Sequence, residues 1–220
     1  MAEAMGLRER KKFETGLRIW RTAVRLFTER GFDDVSVAEI AEQSDVSKMT
    51  VFNYFGSKEE LLFAPIREHF ADAARAIRER PPGESAVAAV KRQFVEAVEA
   101  RDPSVGVTDD PYAYQVRRII EETPALLARA RLLALGGGDE LVEALREGGG
   151  DELRARVAAG LLTAARNSLI AQIKEQMLAG VPVDEVAGEA VRAAGTAFAM
   201  VENGLGDYGA RPGPEGTPRD

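Results

Sequence analysis

The sequence predicts an all-α protein: a three-helix helix-turn-helix domain followed by a larger helical bundle, about nine helices in all. Three observations carry this. Apolar residues recur at helical spacing, as in Phe13, Leu17, Trp20, Val24 and Phe27. Glycines, prolines and Ser-plus-Glu pairs punctuate those runs where helices stop and start. Nothing alternates with period two for long enough to make a strand.

Gly31 closes the first helix in the manner of a C-terminal glycine. Ser36 with Glu39 forms the reciprocal capping pair that opens a short second helix, buried through Val37, Ile40 and Ala41. That helix ends near Ser44, Asp45-Val46 turn a tight corner, and Ser47 caps a third helix from Lys48 to Phe55. Gly56 breaks it, and Ser57 with Glu60 starts a connector helix to about Arg80. Pro81-Pro82-Gly83 marks a boundary. Helices then span about 84–101, 110–122 and 123–135, the last two opened by Asp110-Pro111 and Thr123-Pro124. Gly136-Gly137-Gly138 is expected to interrupt a helix that otherwise reaches Glu147. Two long helices follow at roughly 151–179 and 183–206. The chain therefore divides into an N-terminal domain (8–56, helix-turn-helix 36–55), a connector (57–80) and a helical body (81–208). The Gly/Pro-rich tail, 209–220, is expected to be disordered.

The net charge of −7 argues against nucleic acid only until its distribution is read. Residues 7–30 hold eight basic and three acidic side chains, whereas residues from 61 onward hold nineteen basic and twenty-five acidic. The head is basic and the body acidic. With no cysteine, disulfides and thiolate chemistry are excluded, and the single histidine, His69, leaves no partner for a His-rich metal cluster. No uncharged apolar run approaches the roughly eighteen residues of a membrane span. The basic first twenty residues lack the apolar stretch of a signal peptide. A cytoplasmic protein without membrane partner, metal or cofactor is expected.

The segment from Ser36 to Phe55, SVAEIAEQSDVSKMTVFNYF, is the strongest signal in the chain. A helix, a turn of about three residues and a second helix hold that second helix proud of the surface, where it can enter a DNA major groove. Lys48, Met49 and Asn53 project toward the groove by position. Asn pairs bidentately with adenine, and Lys donates to guanine acceptors. Ser36 and Val37 begin a helix whose amides can meet a phosphate, and Lys58 is placed to do the same. Val51 and Phe55 face the core of the small domain. Arg8, Arg10, Lys11 and Lys12 precede the first helix, either as a flexible basic strand reaching phosphates or a minor groove, or as a solvated terminus.

Preceded by AVRLFTERGF and followed by GSKEELL, this segment closely resembles the TetR family of transcriptional regulators over about residues 13–63. The resemblance implies that the hydroxyls of Thr50 and Tyr54 hold phosphates. Phe52 departs from the tyrosine frequent in the family, so its ring is expected to pack. The resemblance also implies a homodimer in which the last two long helices pair with their copies.

The body fits that implication. Ala158, Leu161, Leu162, Ala165, Leu169 and Ile173, then Ala190, Ala194, Phe198, Val201 and Leu205, cover more than one face of their helices. Such helices sit at a bundle centre or in a dimer interface. Phe94, Val98, Tyr112, Tyr114, Ile119, Leu126 and Leu133, with the polar Arg166 and Asn167, are candidates to line a small-molecule pocket. The same residues would also make an ordinary helical core. Arg166 is the only charged residue between Arg156 and Lys174. It either pairs internally with Glu121 or Glu122, or closes an apolar cavity and holds the carboxylate or phosphate of an effector. Trp20 reads as core, and His69 as a surface or inter-domain packing residue.

Paired carboxylates such as Asp33-Asp34 and Glu121-Glu122 are sequence neighbours and do not face one another on a helix, so no catalytic set emerges. The reading is a homodimeric repressor bound to palindromic double-stranded operator DNA and released by an unknown small-molecule effector. The rival is a helical protein–protein adaptor whose helix-turn-helix no longer binds DNA.

Overall fold

In the computed structural model, which describes residues 6–148 and 151–204, every regular element is helical. The basic head is built from α1 (Leu7–Arg30), α2 (Val37–Gln43) and α3 (Lys48–Phe55). Gly31 closes α1 at φ 89°, a backbone conformation that favours glycine. Ser36 Oγ accepts from Glu39 N, and the Glu39 carboxylate accepts from Ser36 N at 2.8 Å, so two otherwise orphaned amides are matched. Asp45 turns the corner at φ 52°, allowing Val46 N to donate to Ala41 O at 3.0 Å. Ser47 then caps α3 through Thr50 N. Each boundary that the capping signals predict here is present.

The connector departs from expectation. In place of one helix to Arg80 there are α4 (Glu60–Arg67), a 3₁₀ turn over Glu68–Ala71, and α5 (Asp72–Arg78). Pro65 lies inside α4 and has no amide to donate, which weakens the run just before the tighter turn.

The body comprises α6 (Ala86–Glu99), α7 (Pro111–Glu122), α8 (Pro124–Glu147), α9 (Glu152–Leu178) and α10 (Val183–Asn203). The expected interruption at Gly136-Gly137-Gly138 is absent: α8 passes straight through the three glycines. Their role is proximity. A Cβ on Gly137 would lie 2.7 Å from the carbonyl oxygen of Phe70, so α8 meets the 3₁₀ turn backbone to backbone. The expected disordered tail lies outside the described residues, as does Leu205.

Two apolar cores result. The body core joins α5, α6, α9 and α10 through residues such as Ile77, Phe94, Val98, Leu162, Ile173 and Phe198. The head core, around Ile19, Phe27, Ile40, Val51 and Leu61–Phe63, also takes in Val116, Ile119, Ile120 and Leu126 from α7 and α8. Burying one such large apolar side chain contributes about 1.5–3 kcal/mol, so this shared core ties the head firmly to the body. Ala190, Ala194 and Phe198 belong to the protomer's own core and are not available to a partner. Phe13, expected on the apolar face of α1, is 63% exposed.

Candidate nucleic-acid interface and inter-domain cavity

On α3 the split of faces is clear. Val51 points into the head core, while Lys48, Met49, Phe52 and Asn53 are exposed, Met49 by 66%. Phe52 is thus a surface ring and not the packing residue expected, and Lys48 Nζ stands 6.0 Å from its centroid. Thr50 Oγ1 lies 2.8 Å from Ser47 Oγ, half-buried at the first turn. Tyr54 leans onto α1, where a Cβ on Gly16 would stand 3.2 Å from its ring. Bulk at position 16 would push that tyrosine away.

Ser36 and Val37 open α2 beside this face. The Ser36 amide and hydroxyl, with the Arg30 guanidinium at 2.8 Å, hold the Glu39 carboxyl down to about 2. Lys58 is less free than the sequence suggests. Its Nζ lies 4.3 Å from the Phe32 ring centroid and 3.5 Å from Asp33 O. Burial lowers its pKa, with the Asp33 carboxylate opposing the shift. The basic residues Arg8, Arg10, Lys11 and Lys12 do not form a separate strand: they occupy the first turns of α1. Glu9 closes that end by accepting from Gly6 N.

Behind the head lies a cavity of about 490 Å³. Its walls come from α1 (Trp20), the connector (Pro65, Ile66, His69, Phe70), α7 (Val116, Arg117, Ile120), α8 (Ala134, Gly137) and α9 (Arg166, Asn167). Of the expected pocket residues, Arg166 and Asn167 line it. Phe94 and Val98 are instead body core, and Ile119, Leu126 and Leu133 pack in or against the head core. Tyr112 stacks near Trp20 at 5.6 Å, and Tyr114 donates to Thr108 O at 2.7 Å.

Of the two alternatives for Arg166, the internal pair with Glu121 or Glu122 is not made. Glu121 accepts from Lys174, and Glu122 from Arg118 at 2.9 Å. Arg166 Nε is buried without a hydrogen-bond partner. Burial draws the guanidinium below its usual range, with the nearby Asp72 carboxylate opposing the shift. Asp72 is itself occupied by Arg75 and by His69 Nδ1 at 3.0 Å. Sequence reasoning missed Trp20, His69, Ser104 and Arg117 as cavity residues. For these four residues the sequence carries no signal that separates a cavity wall from a core.

Residues 19–64 match the family model described as "Bacterial regulatory proteins, tetR family". The HTH-type transcriptional regulator TcmR of Streptomyces glaucescens is 34% identical over 124 residues, 56% of this chain and 55% of that protein. The uncharacterized HTH-type transcriptional regulator YuxN of Bacillus subtilis is 32% identical over 77 residues, 34% of this chain and 26% of that protein. The match thus spans about half and about a quarter of these relatives. Among solved structures, the SmeT–triclosan complex superposes with a TM-score of 0.58 at 17% identity, over 94% of this chain and 100% of that one. Salmonella enterica GusR does so with a TM-score of 0.55 at 22% identity, over 86% of this chain and 94% of that one. These structures share the fold.

Proposed function

We propose that this chain, whose residues 19–64 match the tetR family of bacterial regulatory proteins, is a homodimeric, sequence-specific DNA-binding repressor released from a palindromic operator by a small molecule. The observation that carries the proposal is α3: a short helix anchored by Val51 that turns Lys48, Met49 and Asn53 outward beside a basic α1. One such helix reads only a few base pairs, so two must act together on a symmetric site. Thr50 and Tyr54, half-buried at its flanks, are suited to phosphates that fix register without reading sequence.

The second copy is supplied by α9 and α10. Between Arg156 and Lys174 the only charge on α9 is Arg166, which lines the cavity, leaving an uncharged outer face that includes Val157 and Leu161. Met200 is exposed on α10. Uncharged, partly apolar helix faces of this kind suit an isologous two-fold contact.

Selection of bound duplexes from random-sequence DNA tests the reading, followed by gel shift. Recovery of an inverted repeat supports it. Failure to enrich any sequence overturns it in favour of a helical adaptor. On the recovered site, Asn53→Ala is expected to cost about 1–3 kcal/mol and relax one operator position. Replacing any one of Arg8, Arg10, Lys11 or Lys12 that neutralises a phosphate lowers the salt slope by about 0.9. Leu161→Arg is expected to yield monomers on sedimentation.

A further inference from the structure

We infer that the cavity takes a singly charged amphipathic carboxylate, with its head on the Arg166 guanidinium and its apolar body against Trp20, Ile66, Phe70, Val116 and Ile120. The inference deepens the small-molecule reading above and rests on it.

The walls give the ligand its polarity. Most lining residues are apolar, as in small-molecule sites that use a few polar groups to fix orientation. The lining carboxylates are already engaged: Asp110 caps α7 through Tyr112 N, and Glu121 accepts from Lys174. Neither lining arginine, Arg117 or Arg166, has a carboxylate within 4.0 Å among the described residues. A guanidinium stays charged in proteins and presents a planar fork that fits a carboxylate with two parallel hydrogen bonds. Asp72 and Glu121 already have cationic partners in Arg75 and Lys174, so a single carboxylate head supplies the one counter-charge that the buried Arg166 lacks. The volume, about 490 Å³, suits a compact ligand.

Position gives the ligand a route to the head. Trp20 belongs to α1, His69 and Phe70 to the 3₁₀ turn between α4 and α5, and Arg166 to α9. One bound molecule therefore touches the DNA-binding domain, the connector and the body at once. Trp20 is also the only tryptophan of the chain, so its emission reports occupancy directly.

The test titrates the full chain with decanoate, decanol and decylammonium, followed by Trp20 fluorescence and by thermal denaturation. Decanoate is expected to bind about tenfold more tightly than decanol, with decylammonium weakest, because a hydrogen bond to a charged group outweighs a neutral one by about that factor. In Arg166→Met the preference for decanoate over decanol collapses toward unity, and Arg166→Lys restores part of it. Equal binding of all three probes, or a preference that survives Arg166→Met, overturns the carboxylate site while leaving the small-molecule reading intact. Absence of any response in the wild-type chain, for all three probes, overturns both. The ranking in the wild-type chain requires no variant, so a misfolded Arg166→Met leaves the inference falsifiable.

Discussion

The head and the cavity behind it treat polar groups in opposite ways. In the head, Ser36, Glu39 and Arg30 satisfy one another, Ser47 caps α3, and Arg25 reaches Gln43 at 3.3 Å, so that polar side chains serve the backbone. Around the cavity, Trp20 Nε1, Ser104 Oγ and Arg166 Nε are all buried without a hydrogen-bond partner. A buried unmatched donor costs about 1–3 kcal/mol, and a fold that tolerates several beside one cavity has traded stability there. Within the head, Ser44 Oγ is unmatched away from the cavity, and Trp20 Nε1 on α1 is unmatched beside it. Unmatched polarity also occurs at Gln93 on α6 and Gln115 on α7, away from the cavity, so what sets the cavity apart is that three such groups, Trp20, Ser104 and Arg166, line one space.

The strongest way to break the comparison is to attack the scaffold. Phe27→Ala removes a fully buried ring from the shared core and is expected to cost about 3–5 kcal/mol in chemical denaturation. Because that core includes Ile119 and Leu126, head and body should unfold in one transition. Two separate transitions would show that the regions are independent. Gly137→Ala strikes the cavity wall: its new Cβ meets a backbone oxygen that cannot swing away, for an expected loss of about 1–3 kcal/mol despite alanine's better helix propensity. A variant as stable as the parent would remove the close approach from the account. Ser36→Ala is the mildest, about 1 kcal/mol through the lost cap. Its effect carries a pH signature. Glu39, held near 2 when folded, stabilises the cap fully above its ordinary value of 4.5. That contribution fades as pH falls from 4.5 toward 2. The stability gap between parent and Ser36→Ala should therefore narrow in acid; a gap constant over that range would separate the serine from the carboxylate.

The head was legible because its signals are local. A Ser followed three residues later by Glu, or a glycine after an apolar run, states its consequence within one helical turn, and α3 begins and ends where Ser47 and Gly56 say it should. The body was less so, since its deciding facts are contacts between distant segments. Three glycines read as a break until Phe70 is seen pressed against them, and Pro65 gives no hint that the irregular turn falls at Glu68–Ala71. Phe94 and Val98 have the composition of a pocket and the position of a core. Arg166 was the exception, because one charge in a long uncharged stretch must find an answer in three dimensions. Its neighbours Trp20 and Arg117 were invisible for lack of any such anomaly.

The shared core also governs how the protein can be divided. A fragment ending after the connector keeps Leu61, Leu62, Phe63, α1 and the complete helix-turn-helix, yet loses Val116, Ile119, Ile120 and Leu126, which complete their packing. Water would replace those large aliphatic side chains along one side of the fragment, and its bare flank would drive self-association. Producing a soluble minimal DNA reader from this chain therefore calls for either retaining residues through α8 or repainting that flank with polar side chains.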